Sequence, residues 1–481
     1  MTDFTRLNAR AHSPAPVSRP SPGPGSADIP RILPQEPAVP YSNLVLPRSA
    51  RVPRWSLSMA WWALFSAMFW IYVAVASAQA VGTANTVIGM VLTVASYGLI
   101  NLVLSRYAAR TGLTVALLSR TLFGVVGSAL ASLIFAATAI YYAVFEGSII
   151  AVALQKFFGG EMLIWYAVVV VYALPLVAGG VQNWLDKLNG WLLPLYVAGL
   201  VAVVVAATVH RGVPTALPAA PVGLAVPGWL TSYFIYMGVW IMMMYTFDYA
   251  RMGREEDQRF HGTFTFGWVF YFFTFMVNGL VGIYIMSAWG YEGTETGVVD
   301  AFLSSLGVFG LLVILISQTR INTANYFLAS SNLEAFAQRV FGLGLPRWVW
   351  VIACGGIAYL LMLTDVLSYL LKALAWQGVF VTAWVAIALV HIFLTRRDRE
   401  EVPEIRRERL GAFSPGALAW VGASALGILA TEQAAWPLVS QFAPLATVLV
   451  AGGGYAAAYR WRRPPTMALD EDIRLDAELV G

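Results

Sequence analysis

From residue 56 onward the chain is a succession of apolar runs with short polar punctuation. A hydrocarbon layer about 30 Å thick takes about 20 helical residues. Runs of that length fall at 56–80, 84–105, 128–155, 162–182, 187–209, 228–249, 262–287, 306–330, 346–364, 367–394, 414–433 and 438–459. They predict an all-α, polytopic membrane protein with about twelve transmembrane helices. The stretch 346–394 is almost continuous, and Asp365 marks the cut inside it. Residues 1 to about 50 follow another pattern. Pro14, Pro16, Pro20, Pro22, Pro24, Pro30, Pro34, Pro37 and Pro40 alternate with Gly, Ser and Ala. Such a segment buries too little apolar area to offset ordering, so a disordered tail is expected. It lacks the apolar core of a signal peptide and is expected to be retained.

Composition agrees. Of 481 residues 59% are hydrophobic and 12% charged, where a soluble domain carries about 25% charge. Mean hydropathy is +0.68. No single soluble core hides that much apolar surface, so lipid is the expected solvent. The net charge of +4 is no nucleic-acid signature, because the basic residues sit in short loops and tails. The single cysteine, Cys354, excludes an internal disulfide framework and a cysteine-rich metal site; helix packing is its expected role. His12, His210, His261 and His391 show no ligand spacing. No metal and no cofactor are expected.

The arginines set the orientation. Arg48, Arg51 and Arg54 precede the first segment. Arg106, Arg110 and Arg120 follow the second, Asp186 and Lys187 the fourth, Arg251, Arg254 and Arg259 the sixth, and Arg339 and Arg347 the eighth. Arg396, Arg397, Arg399, Arg406, Arg407 and Arg409 follow the tenth, and Arg460, Arg462 and Arg463 the last. The opposite loops hold little beyond Lys156, Arg211, Glu292, Glu295 and Asp300. The alternation implies an even count in the inner membrane with both termini cytoplasmic.

Polar groups inside the apolar runs carry the candidate chemistry. Glu146 lies deep in the third run, with Tyr142 one turn before it on the same face. A carboxyl at that depth is expensive and marks function by default; the plain alternative is a protonated Glu packed against a neighbouring helix. The eighth run contains Gln318-Thr319-Arg320-Ile321-Asn322-Thr323-Ala324-Asn325. At about 100° per residue, Gln318, Asn322 and Asn325 share an arc of about 60°, and Arg320 falls about 200° from Gln318. Amides offer donors and acceptors together, which suits the edge of a heterocycle; the plain alternative is interhelical amide bonding. Asp248 and Arg251 end the sixth run and read as a gate or loop ion pair. Lys372 and His391 lie near the ends of the tenth run and receive no role. Small residues within Ala63 to Trp70, and Gly238 inside Met237-Gly238-Val239-Trp240, suit the discontinuous helices of inverted-repeat carriers, or else ordinary packing.

At these residues the chain resembles the nucleobase–cation symporter family of cytosine, purine, allantoin and hydantoin permeases. Gly112-Leu113-Thr114 followed by Arg120-Thr121-Leu122-Phe123-Gly124-Val125-Val126-Gly127-Ser128 is similar to that family's loop between its second and third helices. Thr319 to Asn325 with Ser330-Ser331-Asn332-Leu333 is similar to its eighth helix, and Asp248-x-x-Arg251 fits the end of its sixth. The likeness covers roughly residues 45–400. It implies a disordered tail at 1–50, a five-plus-five inverted-repeat transport core at 51–400, two additional helices at 401–460 and a second tail at 461–481. It also implies a bundle of segments 1, 2, 6 and 7 rocking against a scaffold of 3, 4, 8 and 9. Carried over singly, the family's substrate contacts fall on Tyr142 for stacking, Glu146 in place of an amide, Gly238, and Asn325, with Asn322 beside it. The sixth-helix aromatic falls on Val239 by strict spacing and on Trp240 after a one-residue shift; Trp240 is taken as the stacking group.

The same carry-over puts the family's sodium ligands on the carbonyls of Ala63 and Ser66 and the side chains of Thr319 and Arg320. A guanidinium has no acceptor and stays charged. Arg320 is therefore expected to displace sodium and to cross-link the first and eighth helices. Coupling would then fall to protons, with Glu146 as the carrier. The implied function is alternating-access import of a small planar nitrogen heterocycle. The alternative is a carrier of an organic cation or amine-bearing vitamin on the same fold. A membrane enzyme lacks any nucleophile or carboxylate cluster here, and scattered single-copy polar residues do not build a channel filter.

Overall fold

Inside lipid a backbone has no water to bond, so helices satisfy it best. The computed structural model describes residues 45–46, 48–178, 186–364, 370–395, 412–433 and 435–461. Among them the regular structure is helical throughout, apart from isolated bridges such as Val52 with Gly253. The Pro-rich tail, Asp365, the arginine run at 396–409 and Arg462 and Arg463 lie outside the described residues.

The helices are α1 (Arg54–Trp61), α2 (Phe69–Val81), α3 (Thr83–Thr111), α4 (Val115–Phe158), α5 (Met162–Ala178), α6 (Asp186–Arg211), α7 (Gly228–Met237) and α8 (Ile241–Ala250). There follow α9 (Gln258–Phe260), α10 (Trp268–Tyr271), α11 (Asn278–Trp289), α12 (Glu295–Leu306), α13 (Val308–Phe341), α14 (Arg347–Met362), α15 (Leu370–Thr395), α16 (Pro415–Thr431) and α17 (Pro437–Trp461). Each of the twelve apolar runs corresponds to one helix or one interrupted helix. Among the described residues six stretches are by themselves long and apolar enough to cross a membrane, and two bent pairs raise that to eight. The pairs are α1 with α2, bent by 43°, and α7 with α8, bent by 45°. They stand five segments apart, as two inverted five-helix repeats require.

The packing follows the same division. Helix α3 lies against α2, α7, α8 and the α9–α11 stretch, whereas α13 runs along α4 and touches α5 and α14. Helices α16 and α17 pack on each other and on α15.

Three local readings change. The expected loop at 112–128 is only a turn at Gly112–Thr114, after which Thr114 caps α4 by accepting from Leu117 N–H at 3.0 Å. Helix α4 is interrupted at Gly124, whose φ of 79° only glycine adopts readily. The segment entering α16 fills that interruption: Ser414 N–H donates to Phe123 O at 3.1 Å, and Val126 N–H to Ala412 O at 2.9 Å. Helix α12 was not expected; Thr294 caps it by accepting from Gly297 N–H at 3.1 Å. Finally, Arg51, Arg120 and Arg251 are buried rather than placed in solvated loops. Arg51 donates to the carbonyls of Ala109 and Gly253, tying the entry strand to the ends of α3 and α8.

Candidate functional site

The two interruptions face each other across the centre of the protein. Between α1 and α2 the chain forms a short turn at Leu64–Ser66 and leaves helical carbonyls without their usual partners. No glycine or proline lies there, and side-chain donors, local and tertiary, hold the break open. Arg320 Nη2 donates to Trp62 O at 2.9 Å. Ser66 Oγ donates to Ala63 O at 2.7 Å, and Trp70 Nε1 to Leu64 O at 2.8 Å. Asn278 Nδ2 donates to Phe65 O at 2.7 Å, while its Oδ1 accepts from the Tyr196 hydroxyl at 2.8 Å. Ser317 Oγ donates to Ser66 O at 2.5 Å. Every carbonyl from Trp62 to Ser66 is thus occupied by a protein donor.

Arg320 therefore does cross-link the first and eighth segments, and it does so through Trp62 rather than through Ala63 or Ser66. It is fully buried, and its Nε and Nη1 have no hydrogen-bond partner among the described residues. Thr319 faces elsewhere: its hydroxyl donates to Leu315 O at 2.6 Å and meets the Tyr172 hydroxyl of α5 at 2.8 Å. The four expected cation-site residues are thus not brought to one point.

Glu146 is 1% exposed and lies against the N-terminus of α2. The backbone N–H groups of Met68 and Phe69 bond its carboxyl, and Gln318 Nε2 donates to its Oε2. Gln318 also reaches Glu146 O at 3.2 Å, while its Oε1 accepts from Met68 N–H at 3.3 Å and Ser317 Oγ at 3.0 Å. One amide thus ties α4, α13 and the start of α2 together. Helix N-termini favour negative charge, which explains how a carboxyl is tolerated here. Gln318 was visible in the amide stripe but was not picked as a site residue; its partner on α2 comes from a segment 250 residues away.

A small central cavity of about 20 Å3 lies between the breaks, lined by Leu64, Ala67, Phe69, Trp70, Tyr142, Glu146, Val239, Ile241, Met242, Tyr245, Ile321 and Asn325. It has room for about one water. Tyr142, Glu146 and Asn325 are brought together, as expected. Tyr142 meets Phe69 edge-on with ring centres 5.2 Å apart, and its hydroxyl accepts from Gln377 Nε2 of α15 at 3.1 Å. Asn325 Oδ1 accepts from the Tyr245 hydroxyl at 3.3 Å, and its Nδ2 donates to Asn322 Oδ1 at 3.4 Å. Asn322 itself lies behind the cavity wall, near Gly147 of α4. Trp240 lines neither this cavity nor its larger neighbour, whereas Val239 lines both. Gly238 lines the larger cavity only, where its backbone meets Gly378 of α15: a Cβ at Gly378 would lie 2.9 Å from Gly238 Cα. Phe69 and Tyr245 carried no sequence signal beyond being ordinary apolar-run residues, whereas Gln377 is a polar group inside the run 367–394.

Asp248 does not simply pair across a loop. Its Oδ1 accepts from Val115 N–H at 2.7 Å, anchoring α8 to the first turn of α4.

No protein-family model matches this chain, and no curated protein sequence does. Solved structures do. One is Mhp1, a nucleobase-cation-symport-1 family transporter, in a closed conformation with bromovinylhydantoin bound, with a TM-score of 0.69 at 15% identity. That match covers 91% of this chain and 99% of that one. The inward-facing form of Mhp1 gives 0.68 at 15% identity, covering 88% and 93%. A Na+-coupled sialic acid symporter in a substrate-bound outward-open state gives 0.65 at 13% identity, covering 90% and 94%. The chain shares the fold of these transporters, the fold that the sequence resemblance implied.

Proposed function

We propose that this protein is a secondary transporter that carries a small planar nitrogen heterocycle across the inner membrane by alternating access, without sodium. The observation that carries the reading is Glu146. In inverted-repeat carriers the N-terminus of a half-helix meets an anionic group of the substrate. Here a carboxyl of the protein itself takes that place. A substrate then needs no carboxylate, and N–H groups are what the Glu146 carboxyl and the Asn325 amide select. Tyr142 and Phe69 offer ring faces beside them. A cavity of about 20 Å3 is too small for such a ring, so loading requires the bundle of segments 1, 2, 6 and 7 to rock from the scaffold.

Sodium independence is supported by the carbonyl accounting at 62–66 and by the permanent cation of Arg320. Glu146 is the candidate proton carrier. The exposed arginines at 48, 54, 106, 254 and 259 gather at the connections expected inside the cell, in keeping with a cytoplasmic face there and with both termini inside.

A second reading has one observation in its favour: among the described residues no Arg or Lys pairs with Glu146. A carrier of an organic cation would use the carboxyl in that way. A thermal-shift screen against nucleobases, hydantoins, allantoin and amine-bearing vitamins, with and without sodium, tests the class. Uptake by Glu146→Gln separates the two readings. A carrier of neutral heterocycles keeps binding within about tenfold, and a cation carrier loses nearly all of it, since a buried charged bond is worth about 1.5–3 kcal/mol or more.

A further inference from the structure

The connections expected inside the cell hold a charged concavity that the transport site does not use. It has about 340 Å3 of space and is lined by Arg48, Ser49, Arg51, Arg254, Glu255 and Glu256. Val52 N–H donates to Met252 O at 3.0 Å, which lays the entry strand beside the end of α8. Arg51 is fixed next to that pairing, 7% exposed, by the carbonyls of Ala109 and Gly253. Both acceptors are neutral. Among the described residues Arg51 forms no ion pair, and its Nε is buried with no hydrogen-bond partner. Buried polar atoms are nearly always paired, and a guanidinium only donates. The neighbouring arginines are loosely held. Arg48 Nη2 lies 3.4 Å and Arg110 Nε 3.8 Å from the Glu255 carboxyl, and Arg254 Nη1 lies 3.7 Å from that of Glu256. Charge-assisted hydrogen bonds close to about 2.7–2.9 Å, and exposed pairs as open as these contribute little. Nearby, Trp55 is 53% exposed, meets Phe260 and Phe264 edge-on, and has Arg54 beside it. Exposed aromatics of this kind mark the membrane–water boundary. Arg51 stands four residues before Trp55, a reach of at most about 14 Å, so the concavity lies near the depth of lipid headgroups.

We propose that this concavity is a binding site for a phosphate group, with Arg48, Arg51 and Arg254 as its ligands. Arg51 supplies the fixed donor, and Arg48 and Arg254 turn from their glutamates onto the remaining oxygens. A guanidinium fork fits phosphate with two parallel bonds, which neither glutamate achieves at 3.4 Å or more. Positive charge is in excess: three guanidinium groups and two carboxylates line the space, and Arg110 adds a further cation beside Glu255. The bound group ties the entry to α1 to the connection after α8. The site is separate from the central cavity, and the inference does not depend on which substrate is carried. A phospholipid headgroup and a soluble phosphate share this chemistry. Basic pockets on the cytoplasmic side of membrane helices take such headgroups.

The test uses the purified full chain in a non-ionic detergent at constant ionic strength. The probes are inorganic phosphate, glycerol 3-phosphate and dihexanoyl phosphatidic acid, with dihexanoylglycerol and potassium chloride as phosphate-free controls. Phosphate-bearing probes are expected to raise Tm saturably, and the controls are not. Arg48→Gln combined with Arg254→Gln, both partly exposed side chains, is expected to weaken their Kd by about tenfold or more. Glu255→Gln removes a competing carboxylate and is expected to tighten it. A purely structural clasp gives the opposite pattern: Glu255→Gln lowers Tm and no probe acts on either protein. That pattern overturns the proposal, as does an unchanged Kd in the double variant. A much tighter Kd for dihexanoyl phosphatidic acid than for glycerol 3-phosphate, with dihexanoylglycerol inert, assigns the site to a lipid headgroup; equal values assign it to a soluble phosphate. If the double variant does not fold, Ser49→Cys is labelled with a maleimide in the presence of the same probes. Protection by the phosphate-bearing ones is expected, and its absence overturns the site.

Discussion

Replacement of Arg320 by glutamine tests the electrostatic core of the proposed mechanism. In the unaltered protein a sodium ion at the first break would face a guanidinium that is fully buried and hydrogen-bonded to Trp62 O at 2.9 Å. Two unit charges about 4 Å apart repel by about 4 kcal/mol at the effective dielectric of such sites. That is about a thousandfold loss of sodium affinity. Sodium would also have to displace the serine donors on Ala63 O and Ser66 O, at about 0.5–1.5 kcal/mol for each bond. The expected result is uptake into proteoliposomes at the same rate in sodium and in choline buffers, with the pH gradient clamped. Arg320→Gln removes the repulsion, so its sodium affinity is expected to rise toward a thousandfold above that of the unaltered protein, read as a sodium-specific rise in Tm. Strict sodium dependence of the unaltered protein with the pH gradient collapsed would refute the reasoning.

Other outcomes follow from single contacts. Asn278→Leu strips Phe65 O of its side-chain donor and Tyr196 of its acceptor; each orphaned buried group costs about 1–3 kcal/mol, and a fall in Tm measures it. Gly378→Ala puts a methyl 2.9 Å from Gly238 Cα and 3.1 Å from its carbonyl oxygen. Backbone cannot yield as a side chain does, so a loss of about 1–3 kcal/mol is expected, along with slowed transport as α15 is pushed from the second break. On the surface, Glu432 accepts from Trp376 Nε1 at 2.8 Å and Lys372 Nζ at 3.1 Å, and these bonds hold its carboxyl below the usual range. A lowered carboxyl contributes stability that is present above its unfolded pKa and is lost as pH falls through the folded one. The α15–α16 tether should therefore persist down through the ordinary carboxylate range and release only below it. Glu432→Gln should abolish that acid step in a profile of Tm against pH.

The sequence by itself determined the membrane, the twelve runs and three residues, Tyr142, Glu146 and Asn325, that line the central cavity. Hydrophobic run length is set by bilayer thickness, and a carboxyl at Glu146 or an amide stripe at 318–325 stands out because such groups are costly in lipid. Periodicity also placed Arg320 on a face of its own, and the structure gives it a partner of its own. Only the tertiary structure decided how the breaks are held. The turn at 62–66 has no glycine or proline to break it, and beside the local donors Ser66 and Trp70 it needs Arg320, Ser317 and Asn278 from segments more than 200 residues away. The interruption of α4 at Gly124 is likewise completed by residues 412–414. Nor did spacing choose between Val239 and Trp240, because in an interrupted helix the rotation per residue is set by what packs against it. Long-range hydrogen bonds leave no periodic trace in a sequence, and three of the five carbonyls of the first break are held by them.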